Sequence, residues 1–240
     1  MDERGKKYLI NEISDFHSDL GIISQEDIAN AEVGLTLKTH LNKEFKVIKP
    51  NVNDFIDLMD RRCSILIQKD IGTVIARTGI GSGSRVVDAG TGAGAIALNF
   101  GNIVGSSGGV YSYEIREDFA EVAKKNIESF GLENIIEIKN KDIKEGIDED
   151  KIDLVFLDLI KPYEIFENVY DCLNLGGYLA IYAPYIDQIE ISYKIAKKVG
   201  FVDLDIIETL ERGIEVRTQG VRPKTRMVGH SGYLLFGRKL

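Results

Sequence analysis

Val86-Val87-Asp88-Ala89-Gly90-Thr91-Gly92-Ala93-Gly94 is the stretch that decides the fold. The valines and the acid continue Arg85 as a short strand, glycines at every second position then turn the chain, and Ala95 to Phe100 reads as a helix. A strand that passes through such a turn into a helix exposes N–H groups at the helix start, and the missing side chains let a ligand approach the backbone. A nucleotide-like ligand is therefore expected at Gly90, Thr91, Gly92, Ala93 and Gly94.

The pattern repeats on both sides of this turn. Ile71, Val74 and Ile75 recur at helical spacing before it, until Gly79, Gly81 and Gly83 interrupt them. After it, Val110 to Glu114 is a strand, Glu117 to Phe130 a helix, and Ile135 to Ile138, Leu154 to Leu157 and Tyr178 to Tyr182 are further strands. Val202 to Ile207 and Tyr233 to Phe236 close the chain, joined by a long segment without helical period that suits an antiparallel pair at a sheet edge. The fold class is α/β: a doubly wound, mostly parallel, seven-stranded sheet with ligand sites at the carboxyl ends of its strands. Residues 1–52 differ, with short β-like runs at Lys7 to Ile10, Leu35 to Thr39 and Phe45 to Ile48 and a hairpin turn at Leu41 to Glu44. They read as a small β module, and residues 53–240 as the main domain.

Composition narrows the function. The 240 residues carry 30 Lys and Arg against 38 Asp and Glu, a net charge of −8, which argues against indiscriminate binding to polyanions. The basic residues concentrate in the tail, where Arg212, Arg217, Arg222, Lys224, Arg226, Arg238 and Lys239 face one acid, Glu215. Cys63 and Cys172 lie far apart and only His17, His40 and His230 join them, so neither a disulfide framework nor a metal site is expected. No apolar run approaches the roughly 18 residues that span a bilayer and the polar N-terminus lacks a leader pattern, so a cytoplasmic protein with no membrane partner is expected. Gly105, Ser107 and Gly109 spell G-x-S-x-G, but they precede a strand, whereas a nucleophile elbow follows one.

The spacing at the glycine turn separates two cofactors. A dinucleotide fingerprint is G-x-G-x-x-G; here the third glycine arrives one residue early and Asp88 stands two residues before the first. A carboxylate there repels a pyrophosphate and attracts the ammonium and sulfonium of S-adenosyl-L-methionine. The pattern Asp-x-Gly-x-Gly-x-Gly resembles the class I methyltransferases, whose product is S-adenosyl-L-homocysteine. Glu114, at the end of the second strand, can bridge ribose hydroxyls, and Asp142, followed by Ile143 after the third, can accept from an adenine amino group. The plainer alternative is a tight turn with solvated strand-end acids.

Leu157-Asp158-Leu159-Ile160-Lys161-Pro162-Tyr163 follows the fourth strand. If the acceptor is adenine N1, that atom already bears a lone pair, so no proton need leave it, and the difficulty is the positive charge that develops on the ring. Asp158 can hold the adjacent amino group and stabilise that charge, and Tyr163 could stack on an extruded base. A satisfied strand-end acid and a half-buried Tyr is the competing account.

Further segments bring a specific resemblance. Asp2-Glu3-Arg4-Gly5 and Phe16-His17, Arg61-Arg62, Lys69-Asp70, Tyr113-Glu114, Tyr182-x-Pro184-x-x-x-Gln188, Glu215-Val216-Arg217 and Arg222-Pro223 through His230-Ser231-Gly232 are similar to the tRNA (adenine-N1)-methyltransferases of the TrmI type. That resemblance covers nearly the whole chain and implies methylation of the T-loop adenine at tRNA position 58, and in archaeal relatives also 57. It puts Asp158 at the catalytic carboxylate position, also beside the cofactor, and Tyr182 on the target pocket. It also implies a homotetramer whose inter-subunit grooves hold tRNA, with Arg62, Arg217, Arg222 and His230 as substrate-side residues. The chain departs from the family pattern at Ile67 and Gln68, where an aromatic or imidazole ring and a proline are usual, and at Tyr163, where Trp is usual. A precorrin-type small-molecule methyltransferase and a non-catalytic tRNA-binding subunit are the rival readings.

Overall fold

The computed structural model describes residues 1–10 and 12–240. The chain divides into two compact units, Met1–Asp60 and Arg61–Leu240.

The first unit contains β1 (Phe16–Ser18), β2 (Gly21–Ile23), helix α1 (Gln25–Ala29), β3 (Thr36–Lys38), β4 (Glu44–Lys46) and helix α2 (Val52–Leu58). β1 pairs with β2 and β3 with β4, both antiparallel, and Asn42 at φ 62° turns the second hairpin where a turn was expected. The expected strand at Lys7 to Ile10 does not form. Tyr8 explains why: its ring lies 5.2 Å edge-on from Phe16 and 5.8 Å from Phe45, and its hydroxyl donates to Asp2, so this segment is held by a side chain rather than a ladder. Asp2 itself accepts from the backbone N–H groups of Arg4 and Lys6 at 2.9 Å and from the Arg4 guanidinium, which closes the Asp-Glu-Arg-Gly turn.

The second unit opens with helix α3 (Gln68–Thr78) and then alternates β5 (Arg85–Ala89), α4 (Ala95–Val104), β6 (Gly109–Tyr113), α5 (Glu117–Phe130), β7 (Ile136–Lys139), β8 (Ile152–Leu157), α6 (Phe166–Cys172), β9 (Leu173–Ala183), α7 (Ile186–Val199) and β10 (Val202–Ile207). The hairpin β11 (Ile214–Arg217) and β12 (Gly220–Pro223) and the strand β13 (Tyr233–Arg238) complete it. The seven-stranded sheet has the order β10-β13-β9-β8-β5-β6-β7, parallel from β9 to β7, with β13 antiparallel to both β9 and β10. This is the doubly wound sheet that the alternation predicts, including the antiparallel edge pair. The connecting segment also carries the β11–β12 hairpin, whose strands are almost wholly exposed.

Val86, Val87, Leu154, Val155, Leu157, Leu179 and Ile181 are fully buried in the central strands, because helices cover both faces of a parallel sheet. α5 turns Ala120, Ala123 and Ile127 inward. The chain proceeds from β5 to one side through β6 and β7, then crosses to β8 and β9 on the other. A crevice opens at the carboxyl ends of the strands where that order reverses, and this positions the site. Among the described residues no helix is long and apolar enough to cross a membrane.

Candidate active site

Three strand ends are stitched together at the glycine turn. The Gly90 N–H donates to the Tyr113 carbonyl at 3.1 Å, and the Asp158 N–H donates to the Ala89 carbonyl at 2.9 Å. Gly90 has φ +95°, and a Cβ there would lie 2.4 Å from the Asp158 carbonyl oxygen; a Cβ on Gly92 would lie 2.9 Å from Cys63 Sγ. The turn is therefore a cradle with no room for side chains, closed on one side by Asp158.

Asp88, wholly buried, sits beneath this cradle. Its Oδ2 accepts from the Ser112 hydroxyl at 2.5 Å. The Thr91 hydroxyl is 2.6 Å from Ser112 Oγ, and since the Ser112 proton goes to Asp88, Thr91 is the donor there. Asp88 Oδ1 is buried and has no hydrogen-bond partner among the described residues. Burial pushes the Asp88 carboxyl up to about 7, with the Ser112 bond opposing and the charges of Asp158 and Glu114 reinforcing the shift. An orphaned buried acceptor beside two further acids calls for a cation or a strong donor.

Glu114 directly follows β6 in a buried position and accepts from the Gly92 N–H at 2.9 Å and the Arg116 N–H at 3.0 Å. Each carboxylate oxygen keeps a lone pair for a ligand hydroxyl. Asn140 donates to the Glu114 carbonyl at 2.8 Å and steadies that strand end. Asp142 starts the 3-10 turn Ile143–Glu145 and accepts from the Lys144 N–H at 2.9 Å. Gly90, Glu114, Asp142, Ile143, Leu159 and Ile160 are among the residues that line a cavity of ≈ 430 Å³, within the size range of small-molecule sites. Thr91, Ala93 and Gly94 lead from this cradle into α4.

On the other side of the cradle, burial alone pushes the Asp158 carboxyl up to about 6. Tyr182, half-buried on β9, donates its hydroxyl to the Ser231 carbonyl. Burial first, then the charges of Asp158 and Asp70, push its phenol up to about 12, so it remains a donor at neutral pH. Tyr163 is half-buried and packs against the apolar core. Arg62 lies 3.8 Å from Asp118 at the start of α5, while Arg217 and Arg222 share Glu215 on the β11–β12 hairpin at 2.8 and 2.6 Å. His230 has both ring nitrogens engaged, Nε2 with the Pro184 carbonyl at 2.9 Å and Nδ1 with Glu208 at 2.6 Å. A carbonyl can only accept, so Nε2 carries a proton; the Glu208 bond, then the Pro184 bond, raise the imidazole's proton affinity. Ile67 is the residue that precedes α3, and Gln68 is the first residue of that helix.

Several of these contacts escape a reading of the sequence. Ser112 carried a signal, a hydroxyl at an inward position of an apolar strand, which needs a partner. Asp70 carried another, because it shares the buried stripe of α3 with Val74. Among the described residues no group of three or more His, Cys, Asp or Glu is placed to hold a metal ion.

Known proteins resemble the chain along most of its length. Residues 45–222 match the family described as tRNA methyltransferase complex GCD14 subunit. The chain is 39% identical over 265 residues to the tRNA (adenine(57)-N(1)/adenine(58)-N(1))-methyltransferase TrmI of Methanocaldococcus jannaschii, covering 99% of this chain and 93% of that protein. Among solved structures, a SAM-dependent O-methyltransferase from Thermotoga maritima superposes with TM-score 0.90 at 31% identity, over 100% of this chain and 91% of that one. The tRNA (m1A58) methyltransferase TrmI of Aquifex aeolicus gives TM-score 0.78 at 25% identity, over 95% and 90%. With its acid-flanked glycine turn, its switch-point crevice and a match across most of its length, the chain belongs to the tRNA methyltransferase complex GCD14 subunit family.

Proposed function

We propose that this protein transfers a methyl group from S-adenosyl-L-methionine to N1 of adenine 58 in the T-loop of tRNA, acting in the cytoplasm as a homotetramer. One observation carries the reading: Asp158 is locked directly against the glycine cradle, its N–H on Ala89 and its carbonyl where a Gly90 side chain would be, so a cofactor there and a base beside it meet at one carboxylate.

The residues fit the cofactor. Asp88, with its unpartnered buried Oδ1, suits a cationic ligand; the cradle at Gly90, Thr91, Gly92, Ala93 and Gly94 admits it to the backbone; Glu114 would hold ribose hydroxyls, and Asp142 and Ile143 would hold the adenine ring. When bound, the cofactor supplies an electrophilic methyl on a sulfonium, whose sulfur retains the electron pair of the broken C–S bond. Adenine N1 forms the new bond with its own lone pair and the ring takes up the positive charge. Asp158, ionised above about pH 6, accepts from the adjacent exocyclic amino group, whose hydrogens become more acidic as that charge grows. Tyr182 forms a wall of the target pocket. Arg217 and Arg222 on the hairpin, with Arg62, supply positive charge for phosphates, and His230 orders the segment beside them. Val216 and Val221, 80% and 67% exposed on that hairpin, support assembly of copies through it.

Incubation of unmodified tRNA with labelled cofactor, followed by mass mapping of the methylated nucleoside, tests the proposal. Label on 1-methyladenosine at position 58 is expected, and the same map shows whether 57 is also modified. Methylation of a corrinoid precursor instead of tRNA would overturn the substrate, and absence of heat on titration with S-adenosyl-L-homocysteine would mark a binding-only subunit.

A further inference from the structure

Lys69 and Asp70, at the start of α3, form a buried ion pair at 2.6 Å, their side chains 9% and 1% exposed, with no part in the chemistry described above. Every proton of the ammonium is used: it donates to Asp70 Oδ1, to Thr209 Oγ1 at 3.0 Å and to Ser231 Oγ at 2.7 Å. Thr209 in turn donates to Asp70 Oδ1 and Ser231 to Asp70 Oδ2, each at 2.7 Å. Thr209 and Ser231 are the two ends of the segment that carries the β11–β12 hairpin, so the ion pair clasps that segment at its base.

The clasp leads to Tyr182. The Ser231 carbonyl accepts from the Tyr182 hydroxyl, and a Cβ on Gly232 would lie 2.4 Å from the Tyr182 ring, so the ring rests on the Ser231–Gly232 backbone. A buried ion pair adds little net stability over apolar packing of the same volume, but its directed hydrogen bonds admit one arrangement of the groups around it. Catalytic groups need such definition, since misplacement by an ångström is costly in rate.

We propose that Lys69, Asp70, Thr209 and Ser231 are positioning residues for Tyr182: the clasp fixes the Ser231–Gly232 backbone, and that backbone fixes the ring at the wall of the target pocket. The inference rests on the function proposed above for that pocket.

Two measurements test it. In methyl transfer to unmodified tRNA, Ser231→Ala is expected to lower kcat roughly 10-fold with S-adenosyl-L-homocysteine affinity unchanged. In a Tyr182→Phe background the same change is expected to cost less than about twofold, because the hydroxyl that reads the Ser231 carbonyl is gone. Equal losses in the two backgrounds, or a loss of cofactor-product affinity that matches the loss of rate, would overturn the proposal. Thr209→Val gives a second route should Ser231→Ala fail to fold, with Thr209→Ser expected to restore the rate; failure of that rescue counts against the clasp. The second measurement needs no substrate: in protein labelled with 13C-tyrosine, the Tyr182 resonance, assigned by Tyr182→Phe, should shift in Ser231→Ala and Thr209→Val. If the unaltered enzyme methylates no tRNA while that resonance shifts, the proposed function fails and the positioning stands. A resonance that stays in place overturns the positioning whatever the activity.

Discussion

The cradle at Gly90 to Gly94 and the clasp around Asp70 are built in opposite ways. The cradle is shaped by absent side chains: Gly90 and Gly92 leave space that a Cβ would fill against Asp158 and Cys63. The clasp is shaped by present ones, five polar contacts among Lys69, Asp70, Thr209 and Ser231. A backbone cavity fails by sterics when a side chain intrudes, whereas a buried polar cluster fails by an uncompensated charge when one member leaves. The two regions should therefore break differently.

The clasp should show the largest loss of stability. Asp70→Ala leaves the Lys69 ammonium buried without its counter-charge and is expected to destabilise the fold by about 3–5 kcal/mol in urea denaturation. Lys69→Met combined with Asp70→Leu should cost much less, and equal costs would remove the distinction between the two regions. At the cradle's edge, Asp158→Ala is expected to cut turnover by roughly 10²–10³-fold while tRNA binding persists, as befits a group that acts on developing charge; near-normal methylation would contradict its role. Gly90→Ala is expected to abolish S-adenosyl-L-homocysteine binding in calorimetry and to destabilise by about 1–3 kcal/mol, from a strained positive φ and a contact with backbone that cannot move aside.

Charge in the cradle gives a pH test. Burial holds Asp88 up at about 7 and Asp158 at about 6, above the ordinary 3.8, so the folded unliganded chain binds protons that the unfolded chain releases. Their contribution to stability is full below the ordinary value and is lost as pH rises through about 6 to 7. The melting temperature of the unliganded protein should accordingly carry a component that falls across that interval. Binding of the cationic cofactor near pH 7 should release protons, seen as a binding enthalpy that changes with the buffer's heat of ionisation; a buffer-independent enthalpy would place the cation away from Asp88. The smallest effect is expected furthest out: Arg222→Ala, which also frees Glu215, should weaken tRNA binding and lower the salt slope by about one contact's worth, roughly 0.7–0.9. An unchanged slope would leave Arg222 as surface charge paired with Glu215.

Legibility in the sequence follows the same division. β5, the glycine turn, α5 and the acids at 88, 114 and 158 were readable because each signal spans a few consecutive residues and repeats a known period. Lys7 to Ile10 misled because an apolar alternation served Tyr8's side-chain contacts instead of a ladder. The β11–β12 hairpin was missed because its strands bury almost nothing, so no apolar face marks them. His230 was legible as a distinctive residue, but its commitment to Glu208 and Pro184 was not, since those partners lie 22 and 46 positions away.

What the sequence determined by itself was therefore the alternation of strands and helices in the main sheet, the glycine turn and the strand-end acids, because alternation, glycine and charge act on near neighbours along the chain. Tertiary structure alone decided that Thr91 and Ser112 serve Asp88, that Asp158 closes the cradle, and that Lys69 and Asp70 meet residues 139 to 162 positions away. The physical reason is that a hydrogen bond of buried groups depends on distances of a few ångströms in space, which only the packed sheet and its helices define.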